Sequence, residues 1–410
     1  MFEQKNRPIN KSFLESLICT FCKRLYDPTE RHTTCPNCGK VLFPQYDLSK
    51  VQEKISLKKN VLDRGYNIWR FNEIMPVLDS QYHYTLGEGW TPMLTIKNAG
   101  NKLGLKNLLL KDEGQNPTGT FKSRGLCAAV SKGLELGIKD FVIPTAGNAG
   151  AALAAYAACA GARAHVFMPE DTPKFLQNEV SAMGGDLKLI PGIITDAAQQ
   201  VKEAVDKMGW FDVSTLKEPY RVEGKKTMGI EVVEQLNWEI PDVIIYPTGG
   251  GTGIVGMWKA FNELETLGII GSERPRMVSV QASGCAPIVK AFREKEEFAT
   301  YWENAHTLAP GLRIPQAIGD YLILRALYES KGTAIDIHDS EILFAMNFLA
   351  KTEGIMLAPE AAATIKGVEK LLESGFLDPS ELIVLFGTGS GLVYPELWNA
   401  SLNKRNEFYD

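Results

Sequence analysis

Four glycine-rich turns, each directly behind an apolar run, limit what this chain can fold into. The first is Asn116-Pro117-Thr118-Gly119-Thr120-Phe121-Lys122-Ser123-Arg124-Gly125, after Asn107-Leu108-Leu109-Leu110. The second is Thr145-Ala146-Gly147-Asn148-Ala149-Gly150, after Phe141-Val142-Ile143-Pro144. The third, residues 248–256, follows Val243-Ile244-Ile245-Tyr246, and the fourth, residues 386–392, closes Leu382-Ile383-Val384-Leu385-Phe386. His165-Val166-Phe167-Met168 and Met277-Val278-Ser279-Val280 are further apolar runs of strand length. The segments between carry helical spacing, as in Ile230, Val233, Glu234 and Leu236. Strands alternating with helices predict an α/β protein with largely parallel sheets, whose ligands gather at strand-to-helix turns.

A chain of 410 residues has room for two or three domains and a large core. A net charge of −5 leaves no basic footprint for nucleic acid. No apolar run is long enough to cross a bilayer, and the first residues lack the apolar core of a secretory signal. The expected location is the cytoplasm. Of the 7 cysteines, Cys19, Cys22, Cys35 and Cys38 form two CxxC pairs, whereas Cys127, Cys159 and Cys285 stand alone in apolar context. Each pair places two thiolates on one knuckle, and two knuckles complete a tetrahedral site without an open position. A structural zinc ribbon over residues 1–50 is expected, with His32 a bystander. So small a segment does not fold without its metal.

The turns suggest a chemistry. Lys122 falls at the mouth of a helix, where positive helix-end potential and loss of water both lower an amine's pKa. Such a lysine can form a Schiff base with pyridoxal phosphate. The glycines around Thr145 and Gly147 let backbone amides face a carboxylate at a helix start. Asn148 could bond a phenolic ring oxygen. Gly249, Gly250, Gly251, Thr252 and Gly253 can wrap a phosphate with side-chain-free amides. The same turn satisfies GxGxxG through Gly251, Gly253 and Gly256, which keeps a dinucleotide enzyme in play. The next strand ends in Gln281, where a ribose would need an acid. Thr388 could bond a pyridine nitrogen, and a hydroxyl there suits elimination and replacement chemistry.

Taken as a set, NPTGTFKSRG, TAGNAGA, PTGGGTG and GTGSGL resemble the threonine synthases, a family of fold-type II pyridoxal-phosphate enzymes. LGEGWTP, KDEGQNPTG, RVEGKKTMGIEVVEQL and APEAAAT extend the resemblance over roughly residues 83–392. It implies a tryptophan synthase β-like fold with two parallel-type open sheets. The large cofactor-binding domain would comprise residues 51–120 and 225–410, and the smaller α/β domain residues 121–224. Lys122 would carry the cofactor covalently and act as the base, with Phe121 and Asn148 beside the ring. The residues 249–253 would grip the cofactor phosphate and Thr388 would face the ring nitrogen. Thr145, Gly147 and Arg221 would bind substrate, Arg221 through its phosphate; read without the resemblance, Arg221 is a surface cation. The implied reaction converts O-phosphohomoserine and water to threonine and phosphate. Ser123, Gly250, Gly253, Ser390 and Val393 stand where the family often has other residues, several of them polar or charged. Two alternatives therefore stay open: a related enzyme of another phosphorylated amino acid, such as cysteate synthase acting on O-phosphoserine, and a serine/threonine dehydratase-like lyase. The resemblance and the exposed apolar stretches favour a homodimer.

Overall fold

The computed structural model describes residues 11–398. Three sheets organise them. The first is a small antiparallel sheet of β1 (Leu14–Cys19), β2 (Leu25–Tyr26) and β3 (Leu42–Tyr46), in the order β2-β1-β3. Residues 48–82 follow as short helical pieces. The body then supplies β4 (Met93–Thr95), β5 (Asn107–Asp112), β6 (Asp140–Pro144), β7 (Arg163–Pro169), β8 (Asp186–Ile190) and β9 (Phe211–Asp212). It ends with β10 (Val243–Pro247), β11 (Arg276–Ala282), β12 (Thr333–Ile337) and β13 (Leu382–Gly387).

The larger body sheet runs β12-β11-β10-β13-β5-β4 and the smaller β8-β7-β6-β9. Every pairing in them is parallel except that of the edge strand β4 with β5. The central strands explain why. All five residues of β10 are buried, as are five of the six in β13. Continuous apolar runs of this kind suit a parallel sheet covered on both faces rather than a half-wet antiparallel one. The apolar runs expected to be strands are strands here. The short edge strands β8 and β9 lie outside those runs, because half-exposed segments lack a continuous apolar signal.

Strand order does the positioning. β13 inserts between β10 and β5, so the turns after these three strands emerge side by side. Those after β5 and β13 are stitched directly: the Phe121 amide donates to the Thr388 carbonyl at 3.0 Å, and the Ser390 amide to the Gly119 carbonyl at 2.8 Å. β6 belongs to the other sheet, and its turn brings Asn148 from that side. Of the four turns, three lead into helices: Lys122–Glu135, Asn148–Ala160 and Thr252–Thr266. The fourth opens only a single turn, Gly391–Val393.

Helix Arg221–Gln235 packs on both Lys122–Glu135 and Thr252–Thr266 and is buried on all sides through Glu234. Close approach depends on Gly224, where a Cβ would fall 2.0 Å from the Arg124 carbonyl oxygen. The small antiparallel sheet docks on the body through several contacts, two of them hydroxyl bonds. Tyr321 OH lies 2.5 Å from Thr20 Oγ1, and Tyr46 OH donates to Glu223 Oε2 at 2.7 Å. Among the described residues no helix is long and apolar enough to cross a membrane.

Candidate active site

A cavity opens where the turns meet. Its walls include Phe121, Lys122, Asn148, the residues 249–253 and Thr388. Lys122 begins its helix, as its place after the turn predicts. Its amine stands 4.4 Å from the centre of the Phe121 ring, which in turn meets Tyr246 edge-on at 6.0 Å. Burial pushes the Lys122 amine down from its ordinary value to about 7, helped by the nearby positive charge of Arg221 and opposed by Glu360. Near neutral pH a large share of this amine is therefore unprotonated and nucleophilic.

Arg221 is not a surface cation: it is fully buried at the start of its helix. Nη1 donates to the Val213 carbonyl at 2.6 Å, while buried Nε and Nη2 have no partner. Glu218 does not supply one, since its carboxylate caps the Tyr220 and Arg221 amides instead. A buried guanidinium with two free donors next to a reactive amine is a site awaiting an anion.

The glycines of the third turn form a cradle that side chains would fill. A Cβ on Gly249 would sit 2.1 Å from the Gly311 carbonyl oxygen, on Gly251 2.2 Å from Ile323, and on Gly253 2.0 Å from the Tyr246 hydroxyl. Gly251 also has a φ of +79°, open to glycine. These residues open helix Thr252–Thr266, whose first amides lack partners within the helix. Orphaned buried donors, a side-chain-free cradle at a helix start and a low-pKa lysine under an aromatic ring together fit pyridoxal phosphate.

Thr145 and Gly147 stand just outside the cavity wall. Thr145 Oγ1 accepts from the Gly147 amide at 3.0 Å, and Gly147 has a φ of +127°. One wall residue, Glu360, and a residue behind it, Tyr394, escape a sequence reading. Glu360 belongs to a segment whose motif is visible, but nothing local shows its carboxylate turned towards Lys122. Tyr394 donates to Glu360 at 3.0 Å and accepts from Asn148 Nδ2 at 2.8 Å. No nearby motif announces it. Outside the lining of this cavity, the sulfurs of Cys19, Cys22, Cys35 and Cys38 all lie within 4.8 Å of one another. His32 is outside that group and bonds the Asp27 carbonyl instead.

This is the fold and cavity of a pyridoxal-phosphate enzyme. The family description "Pyridoxal-phosphate dependent enzyme" matches residues 84–389. Threonine synthase of Methanocaldococcus jannaschii is 38% identical over 380 residues, 92% of this chain and 93% of that protein. Threonine synthase of Methanosarcina acetivorans is 35% identical over 93% of this chain and 92% of its own length. The chain belongs to the pyridoxal-phosphate-dependent enzyme family and, within it, to the threonine synthases. Solved structures share the fold at low identity. An L-serine ammonia-lyase from Rhizomucor miehei superposes with a TM-score of 0.67 at 21% identity, covering 77% of this chain and 98% of that one. Diaminopropionate ammonia lyase from Escherichia coli gives 0.68 at 16%, covering 97% and 99%.

Proposed function

We propose that the protein converts O-phosphohomoserine and water to threonine and phosphate, using pyridoxal phosphate carried on Lys122. The observation that supports this best is the pairing of Lys122 with Arg221. One offers a neutral amine, and the other a buried charge with two free donors for the substrate's phosphate. The bound cofactor supplies the electron sink that makes a Cα proton acidic. Lys122 takes that proton, since its amine is the cavity's base with a pKa close to neutral. The amides of residues 249–253 hold the cofactor phosphate, and Phe121 walls the ring. Asn148 bonds the ring oxygen and Thr388 faces the ring nitrogen. The turn of Thr145 and Gly147 receives the substrate carboxylate. Arg221 orients the leaving phosphate.

The four clustered thiols fit a structural zinc, since four sulfurs at this spacing saturate a tetrahedral ion. Purified protein is expected to release phosphate and form threonine from O-phosphohomoserine. Turnover of O-phosphoserine with none of O-phosphohomoserine overturns the substrate assignment while leaving the cofactor assignment standing.

A further inference from the structure

Glu360, Tyr394 and Asn148 form a chain that ends in the cavity. Glu360 Oε1 accepts from the Gly311 amide at 2.7 Å and from Tyr394 OH at 3.0 Å. Asn148 Nδ2 donates to the same Tyr394 oxygen at 2.8 Å. Asn148 Oδ1 is buried and has no partner. Glu360 and Tyr394 are 7% and 1% exposed, and the Tyr394 oxygen has Glu360 and Asn148 as its partners.

A tyrosine hydroxyl has one hydrogen. If Glu360 is a carboxylate, that hydrogen must go to it. The tyrosine oxygen then needs a donor, and only the NH2 end of Asn148 can be one. The carbonyl end of Asn148 is left for the cavity, where it can bond only a group that donates. If Glu360 is protonated, the order reverses. The carboxylic hydrogen goes to the tyrosine oxygen and the tyrosine hydrogen to Asn148. The amide turns over, presenting its NH2 to the cavity, where it holds an acceptor.

We propose that Glu360, acting through Tyr394, sets which end of the Asn148 amide faces the cavity, and so whether the cofactor's ring oxygen is held as a hydroxyl or as an oxyanion. This rests on the cofactor assignment above. One proton is conserved: it sits either on the ring oxygen or on Glu360, and the amide rotation accompanies its transfer. Glu360 and Tyr394 are positioning residues that reach the cofactor through Asn148.

The groups facing Glu360 are its own amide, the Gly311 amide, Tyr394 and, from the start of its helix, the Lys122 amine. Burial pushes the Glu360 carboxyl up, opposed by hydrogen bonds from its own amide, the Gly311 amide and Tyr394 and by the Lys122 charge. Once Lys122 no longer carries an ammonium, that opposing charge is gone and Glu360 holds its proton more readily.

The test is the absorption spectrum of the cofactor-loaded protein across neutral pH, for the wild type, Glu360→Gln, Tyr394→Phe and the double variant. Loading is verified by mass after borohydride reduction. The wild type is expected to show both its near-ultraviolet and visible bands, in a ratio that changes little across this range because the proton moves within the site and none is taken up. In Glu360→Gln, a glutamine that keeps its oxygen on Gly311 turns its NH2 towards Tyr394, so the visible band dominates at every pH. In the Tyr394→Phe background, adding Glu360→Gln changes nothing further, because the chain is already cut. Equal spectral effects of Glu360→Gln with tyrosine or phenylalanine at 394 mean direct electrostatics, and overturn the relay. So does a spectrum that neither variant alters. If Glu360→Gln fails to load, Glu360→Asp replaces it; shortened away from Tyr394, it must reproduce the Tyr394→Phe spectrum or the relay fails. A wild type that never takes up the cofactor defeats the cofactor assignment itself, a different outcome from either.

Discussion

Arg124 and Glu231 are joined by two hydrogen bonds of 2.5 and 2.7 Å, where neither side chain reaches solvent. The same guanidinium grips Glu113 at 2.6 and 2.8 Å, and Lys111 adds a bond to Glu231 at 2.9 Å. The cluster locks the helix that starts at Lys122 to the helix that starts at Arg221 and to the end of β5. Burial alone would raise the Glu231 carboxyl, but Arg124 and Lys111 outweigh it and hold it down at about 2. Its folded-state value is depressed, so its stabilisation is complete above the ordinary value of 4.5 and is lost as pH falls towards about 2. Removing one member of a buried charge cluster strands the rest, at a cost of about 3–5 kcal/mol. Glu231→Gln is therefore expected to lose that much stability at neutral pH by denaturant titration. The difference from wild type should shrink in acid.

Lys122 gives a second pH dependence of opposite origin. Its amine is depressed to about 7, so the free form that attacks an aldehyde is already plentiful at neutral pH. Cofactor-free protein mixed with pyridoxal phosphate should gain its visible band at a rate that rises with pH and levels off above about 7. A rate that keeps climbing towards the ordinary lysine range contradicts this amine's environment. Lys122→Ala should keep the fold, by circular dichroism, and never acquire a borohydride-stable label. In the cofactor-free protein, its stability relative to wild type should be greater at acid pH than at alkaline pH. The wild type must bury a proton or release it below the ordinary lysine value, and alanine removes that cost.

The phosphate cradle predicts an order among glycine variants. At Gly249 an added methyl meets backbone, the Gly311 carbonyl at 2.1 Å. At Gly250 it meets a side chain and not backbone, the Thr215 methyl at 2.6 Å. Overpacking against atoms that cannot move costs about 1–3 kcal/mol, or roughly five- to 150-fold in an equilibrium constant. Gly249→Ala should weaken cofactor affinity by roughly fivefold or more, and Gly250→Ala by much less. Equilibrium dialysis of the two variants checks the order; a larger loss at Gly250 contradicts the cradle.

Legibility in the sequence followed range. Each glycine turn announces itself because an apolar run, a turn and a helix are contiguous in the chain, and that was enough to read the α/β fold. The residues 249–253, Lys122, Asn148 and Thr388 could be singled out as one group, and the structure gathers them around one cavity. The placement of Glu360 and Tyr394 was not readable. Glu360 lines the cavity and Tyr394 bonds it from behind, through contacts between segments far apart in the chain. The burial of Arg221 was hidden for a similar reason. Its helix is charged along its length, with Glu223, Lys225, Lys226, Glu231 and Glu234 all buried, and reads as a solvated face. What keeps those charges inside is pairing with partners distant in sequence, such as Arg70 with Glu234 and Lys259 with Glu223.

The thiol cluster predicts a metal and a consequence. Metal analysis should find about one zinc per chain, lost in Cys35→Ser. The small sheet then has too little core to persist. Its loss uncovers Tyr321 and frees Glu223 from Tyr46, leaving a buried carboxylate with one fewer donor. The expected result is poorer solubility and a lower melting temperature, with turnover per loaded enzyme little changed at temperatures below unfolding. Unchanged metal content in Cys35→Ser contradicts the ligand set.

Arg221 ties substrate choice to the state of Lys122, and a single variant separates the two effects. Arg221→Met keeps an unbranched apolar stem in a buried place but removes the free donors. Phosphorylated substrate should lose binding, read as a raised KM. Pyridoxal phosphate should still bind, because the cradle of residues 249–253 opens a different helix. Arg221's charge is the second cause, after burial, of the depressed Lys122 amine. Its removal should therefore move the midpoint of the cofactor-loading rate upward from about 7. A raised KM with an unmoved midpoint places the guanidinium too far from Lys122 to act on it. An unchanged KM together with a raised midpoint means that Arg221 tunes the amine and some other cation receives the substrate's phosphate.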